Sequence, residues 1–270
     1  MTAPDLDLWP LPGLWLRAGD LELRPPRDDD LAELADLFPP EAGWDPTLPV
    51  RAADNAAAAR QSVLRHVWRS RAEVSPEKWR ICFAAYVDGV LVGEQDVKAV
   101  DFPARRIAET SSWVAAPHRG RGHAKAMRAL VLHFAFDGLD ALAAESESAE
   151  GNDAALGVTR SLGYTPCGDT YALHDGVVEH MLWSRLTRER WSLLRQGYSI
   201  GTIELAGLEG CRDLLGLPPA AKPPVAASDG SYTGTKPAAE AASGSSTASH
   251  TGAQSSDAAS TAEESVAAPN

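Results

Sequence analysis

Cysteine is scarce in this sequence, and the three that occur, Cys82, Cys167 and Cys211, lie far apart. An odd number of widely spaced cysteines with no CxxC pair argues against a disulfide framework and against a structural zinc site. A reducing compartment follows, and the chain reads as cytoplasmic. Long apolar runs are missing too: no stretch reaches about eighteen uninterrupted apolar residues, so no membrane helix is expected. The first residues lack a basic segment followed by an apolar one, so no secretory signal is expected either. Basic charge is in deficit, with 25 Lys and Arg against 37 Asp and Glu and a formal net charge of −12. That balance removes any global attraction to nucleic acid or to an anionic membrane, so an anion site has to be built locally. The seven histidines show no HExxH or HxxxH pairing, and no metal site is expected.

Residues 1–217 hold nearly all the Trp, Phe, Tyr, Leu and Ile, enough for one sizeable core. Residues 218–270 open with Pro218-Pro219 and Pro223-Pro224 and run on in Ala, Ser, Gly and Thr. Such a segment cannot bury enough surface to offset its ordering entropy, and we read it as a disordered tail. Upstream, strand and helix signals alternate. Leu21 to Arg24 reads as a short strand ended by Pro25-Pro26, and Asp28 is placed to cap a helix carrying Leu31, Leu34, Leu37 and Phe38. Residues 51–72, with Val63, Val67 and Trp68 near one face, predict a second helix. Asp88-Gly89 between two apolar runs is the sharpest hairpin signal. A strand at about 107–115 follows. Met127, Leu130, Val131 and Phe134 keep amphipathic helix spacing within 121–137. A strand at about 140–147, a helix at 152–162, a hairpin at Asp175-Gly176 and a helix at 187–195 complete the pattern. Antiparallel hairpins joined by helical crossovers predict an α+β domain: a mixed, mostly antiparallel central sheet flanked by helices.

The segment with the most chemistry is Pro117-His118-Arg119-Gly120-Arg121-Gly122-His123-Ala124, between a strand and a helix. A glycine-rich turn opening a helix aims several backbone N–H groups in one direction, and the helix terminus adds partial positive charge. Arg119 and Arg121 add more. The turn can hold a phosphate or pyrophosphate, or it can be an ordinary helix start. The Walker ending GK[ST] is absent, and Lys125 stands where the third glycine of GxGxxG belongs.

Arg119-x-x-Gly122-x-Ala124 resembles the (Q/R)xxGx(G/A) loop of the GNAT acyltransferases, which grips the pyrophosphate of coenzyme A. The likeness extends outward. Leu23 to Asp30 is similar to the first strand and helix start of the RimJ/RimL-like branch, and Glu109 to Val114 to its fourth strand. Asn152 to Ala155 and Leu162-Gly163-Tyr164 resemble its NxxS and LGF/LGY elements. The segment Arg185 to Trp191 is similar to a group of actinobacterial members. The resemblance spans roughly 21–191. It divides the chain into an N-terminal extension (1–20), a GNAT domain (21–195), a segment packing on it (196–217) and the tail (218–270).

The resemblance implies acyl transfer from acyl-CoA, acetyl-CoA by default, to a primary amine. It implies a V-shaped gap beside the family's fourth strand, with the pantetheine arm against the backbone of Trp113, Val114 and Ala115. The phosphates would meet Arg119, Gly120, Arg121, Gly122, His123 and Ala124, with a further contact from Asn152. Trp113 also reads as a packing aromatic, Asn152 as a helix cap, Tyr164 as a junction residue, and His118 and His123 as solvated. Glu109 is the candidate general base, because an alkylamine is mostly protonated at neutral pH and must lose a proton to attack a thioester. It also reads as a solvated strand glutamate or an ion-pair partner of Arg105 or Arg106. Trp44, Trp68 and Trp79 are candidates to roof the acceptor cleft, and each also reads as an aromatic packed in the core or on the surface. One departure stands out: Ala155 replaces the serine of NxxS, a candidate acid in relatives. That favours an alternative, a binding module that holds acyl-CoA without turnover, and a larger donor such as succinyl-CoA stays open. The acceptor is a protein N-terminus, a lysine or a small molecule. No metal, nucleic acid or membrane partner is implied, and a homodimer is compatible.

Overall fold

The computed structural model describes residues 6–39, 55–174, 177–198 and 201–219. The tail from 220 onward, Trp44, residues 51–54 of the second predicted helix and the turn at Asp175-Gly176 lie outside these residues.

Strands β1 (Trp15–Ala18) and β2 (Leu21–Arg24) come first, then α1 (Leu31–Leu37) and α2 (Ala56–Ala72). The central hairpin is β3 (Lys78–Val87) and β4 (Val90–Val100). A short helix α3 (Phe102–Arg105) leads to β5 (Ile107–Val114), and α4 (His123–His133) crosses to β6 (Ala143–Ala149). There follow α5 (Asp153–Ser161), β7 (Thr165–His174), β8 (Val177–Thr187), α6 (Arg188–Leu194), β9 (Ile203–Ala206) and α7 (Leu208–Cys211). Among the described residues one sheet runs in the order β7-β8-β6-β5-β4-β3-β2-β1-β9. Every neighbouring pair is antiparallel except β5 and β6. This is the mixed, mostly antiparallel α+β sheet that the sequence predicts. No helix among the described residues is long and apolar enough to cross a membrane.

The β3–β4 turn follows from its residues. Asp88 and Gly89 both have positive φ, 50° and 76°, as a two-residue hairpin matching strand twist demands. Period-2 alternation then sorts β3. Ile81, Phe83 and Ala85 join the large core under α4, and Ala84 joins the smaller core under α1 and α2. On α4 and the π-helical turn that continues it at Phe134, Met127, Leu130, Val131 and Phe134 are buried, and each stabilises the fold by about 1.5–3 kcal/mol.

Two local expectations change. Asp28 does not cap α1. It starts a short 3₁₀ turn, and Asp30 closes the box by accepting from the Arg27 N–H at 2.5 Å while holding the Arg24 guanidinium with both oxygens. Asp30 prevails because Arg24 lies on the adjacent strand end, within reach of residue 30. The segment predicted at about 140–147 forms its strand at Ala143–Ala149, because Asp140 takes a positive φ of 61° and ends the preceding turn. Residues 15–18 and 203–206 extend the same sheet at one edge, where β1 pairs with both β2 and β9.

Candidate active site

The ladder between β5 and β6 holds for only three pairs: Ile107 with Ala143, Ala108 with Ala144 and Glu109 with Glu145. Beyond Glu109 the strands part. β5 continues along β4 as far as Val114 opposite Gly93, while β6 stays paired with β8 as far as Ala149 opposite Met181. From Ser111 to Val114, β5 has no ladder partner on its β6 side among the described residues. Arg128 of α4 spans the lower part of the opening. Its fully buried guanidinium donates to Ser146 Oγ on β6 at 3.0 Å and to Ser112 Oγ on β5 at 3.2 Å. Tyr164 packs beneath, buried, with its hydroxyl 3.3 Å from Thr110 Oγ1.

At the wide end, β5 leads through a 3₁₀ turn at Ala116–His118 to the loop Arg119–Gly122 and the N-terminus of α4. Gly120 and Gly122 take φ of +74° and +85°, and a Cβ on either would meet nothing within 4 Å. The loop therefore faces open space, and it needs glycine for its backbone shape. No side chain caps α4, so its first N–H groups stay available to an anion. Arg119 is tied back by donating its Nε–H to Val114 O at 2.9 Å. His118 and His123 are half-buried beside the loop. Asn152 caps α5, its Oδ1 accepting from Ala155 N–H at 3.1 Å.

On the face away from α4, an open cavity of about 840 Å³ lies under α2 and across β3, β4 and β5. Trp113 lines it and packs edge-on against Phe38, with ring centroids 5.3 Å apart. Glu109 lines it too. Its carboxylate pairs with Lys98 Nζ at 2.8 Å, because the β4–β5 register sets Lys98 opposite Glu109. The alternative pairing with Arg105 or Arg106 does not form: Arg106 bonds Asp140 instead. Of the aromatics proposed as a roof, Trp68 is 52% exposed on the outer side of α2 and outside the cavity, because helical spacing turns it away from Val63 and Val67. Trp79 is buried against Phe102 at the cavity wall.

Sequence reasoning missed the cavity floor, where His66 of α2, Arg80 of β3, and Glu94 and Asp96 of β4 converge, with the buried Cys82 of β3 beside them. His66 Nε2 lies 3.2 Å from Glu94 Oε1 and 3.0 Å from Asp96 Oδ2, and Arg80 donates to Asp96 Oδ2 at 2.5 Å. Burial, with the Asp96 charge beside it, pushes the Glu94 carboxyl well above the usual carboxylate range. Burial alone would raise Asp96 as well, but His66 and Arg80 hold it below the usual carboxylate range. The one signal available was the alternation Glu94-x-Asp96-x-Lys98 within an apolar strand, which sets three charged groups on one face.

Comparison with known proteins agrees with this geometry. A family model described as an acetyltransferase (GNAT) domain matches residues 20–165. Similar solved structures include RimJ of Mycobacterium smegmatis in complex with a CoA disulfide, 23% identical with a TM-score of 0.54, covering 68% of this chain and 95% of that one. A second is an acetyltransferase described as putative from T. thermophilus, 19% identical with a TM-score of 0.56, covering 73% and 97%. A third is RimL, a ribosomal L7/L12 alpha-N-protein acetyltransferase in complex with coenzyme A, 16% identical with a TM-score of 0.50, covering 63% and 96%. With a family model matching more than half of the sequence and a sheet that parts beside a glycine-rich loop, this chain belongs to the GNAT acetyltransferase family.

Proposed function

We propose that this protein transfers an acyl group, acetyl by default, from acyl-CoA to a primary amine entering the 840 Å³ cavity. The observation that carries this reading is the unpaired edge of β5. It starts just past Glu109 and runs to the loop that opens α4, so one track joins an anion cradle to the cavity. In this reading the N–H groups from Arg119 to Ala124 hold the pyrophosphate, with charge from Arg119 and Arg121. The backbone of Trp113, Val114 and Ala115 aligns the pantetheine amides and polarises the thioester carbonyl, and Asn152 adds a contact from the α5 side. Glu109 takes a proton from the ammonium, directly or through water. The amine attacks the thioester carbon to form a tetrahedral adduct, the attacking nitrogen gives its second proton to water, the C–S bond breaks, and the thiolate leaves to be protonated by solvent. Ala155 offers no acid for that last step, and none is required of a leaving group as good as a thiolate. Lys98 neutralises Glu109 in the resting state, and an arriving ammonium would exchange with it.

Thiol release with acetyl-CoA and a panel of amines, beside calorimetric titration with acetyl-CoA, tests the reading. Tight binding with turnover of at least one amine is expected. Binding without turnover of any amine would move the assignment to a non-catalytic acyl-CoA-binding module, the reading that Ala155 favours. No binding would overturn both.

A further inference from the structure

The cavity floor brings together one donor atom from each of four side chains: a His66 ring nitrogen, Cys82 Sγ, and one carboxylate oxygen from each of Glu94 and Asp96. All four atoms lie within 4.8 Å of one another. We infer that this cluster is a binding site for a borderline-soft divalent metal ion of the zinc class, which would fasten α2 to the β3–β4 hairpin.

Three features of the geometry support it. The first is how the ligands are held. Cys82 and Asp96 are ladder partners on β3 and β4, and Glu94 is two residues from Asp96 on the same face, so three donors sit on the rigid centre of the sheet. His66 descends from α2 and is the adjustable fourth, with its side chain 35% exposed. A tetrahedral ion with bonds of about 2.0–2.3 Å sets its ligand atoms about 3.4–3.7 Å apart, so closing around one asks for rotamer adjustments and no backbone change. The mixed nitrogen, sulfur and oxygen set suits zinc over magnesium or calcium, which take oxygen alone.

The second feature is Asp96 itself, whose side chain is only 6% exposed. Its Oδ2 takes Arg80 and His66, while Oδ1 is buried with no hydrogen-bond partner among the described residues. A buried carboxylate oxygen left unpaired costs free energy, and a metal bond would satisfy it. Arg80 then acts from behind, orienting the ligand in the manner of an outer-shell partner.

The third is charge. His66 and Arg80 bring positive charge to the buried carboxyls of Glu94 and Asp96. A divalent ion would displace a proton from each of His66 and Cys82 as they become ligands, so that charge enters as protons leave. Either state leaves the buried cluster near neutrality, as a low-dielectric site requires.

Cobalt(II) reports on this site without reference to turnover. Titration of the full chain should raise a thiolate-to-cobalt charge-transfer band in the near ultraviolet that saturates at one equivalent. Zinc should abolish it, and zinc should also raise the melting temperature. Cys82→Ser should lose the band, while Cys167→Ser, which alters an exposed thiol, should keep it. Should Cys82→Ser fold poorly, the near-isosteric Asp96→Asn provides the second arm and should weaken zinc binding by at least about tenfold. Absence of a saturable band in the wild type, or a band that survives Cys82→Ser, overturns the site. Either result would leave the cluster a metal-free network of ion pairs around Asp96.

Discussion

Replacing Glu109 with Gln separates a base from an ion-pair residue. The substitution keeps size and much of the hydrogen bonding but removes proton acceptance. Structurally it breaks one pair, Glu109 Oε2 to Lys98 Nζ at 2.8 Å, between side chains 25% and 36% exposed. A pair that open to solvent is worth about 0–1 kcal/mol, so the melting temperature should move by no more than a few degrees. Lys98 keeps access to water and is not stranded. Loss of general-base help costs about 10²–10⁴ in rate, or roughly 3–5 kcal/mol of barrier. Stability and rate are therefore expected to diverge by several-fold in energy. The assay is steady-state thiol release with a verified amine from pH 6 to 10 (the range is set by roughly bracketing an amine's deprotonation), beside calorimetry with acetyl-CoA and thermal melts. A large loss at neutral pH that shrinks in alkali, as free amine becomes abundant, with cofactor affinity unchanged, is the expected result. An unchanged rate refutes the assignment. A rate loss that tracks a large fall in melting temperature or in cofactor affinity would show that the Lys98 pair holds the cavity together and nothing more.

Gly122→Val forces a β-branched residue to φ +85° and sets its Cβ in the open space before the loop, so acetyl-CoA affinity should fall by about tenfold or more while the protein still folds; equal affinities in calorimetry would remove the loop from the phosphate site. Gly93→Ala would put a Cβ 2.3 Å from Trp113 O, and relief requires the β4–β5 backbone to move, so melting should show a loss of about 1–3 kcal/mol and the KM for acetyl-CoA should rise; a variant with wild-type stability and KM would contradict the close packing. Asp30 is held below the usual carboxylate range despite its partial burial, chiefly by the Arg24 guanidinium and then by the Arg27 N–H. Its stabilisation is therefore present above the unfolded carboxyl pKa of about 4 and is lost as pH falls through the lower folded value. Asp30→Asn should cost about 1–2 kcal/mol in denaturant melts at pH 7, and the gap from wild type should narrow below about pH 4; a pH-independent gap would refute the linkage.

Much of this protein is written locally. Asp88-Gly89 specifies a hairpin because both positions must adopt positive φ. The spacing of Met127, Leu130, Val131 and Phe134 specifies the face of α4 that is buried, and the glycines at 120 and 122 specify a turn that opens a helix. Each of these depends on neighbours in the chain, so sequence alone determined them and, through them, the family resemblance. What lies opposite a residue is another matter. Periodicity put Lys98 and Glu109 on strands but not beside each other, since the β4–β5 register decides that pairing. Arg128 occupies a helix position that composition would leave in solvent, and it is buried because the strands diverge under it. His66, Arg80, Cys82, Glu94 and Asp96 carry no motif spacing, since a helix and two strands deliver them from 66 to 96 with no fixed interval. Local preference is an energy among adjacent residues, whereas a buried charged cluster is an energy among residues whose ligand atoms only the closed sheet brings within 4.8 Å. The tertiary structure alone could decide that.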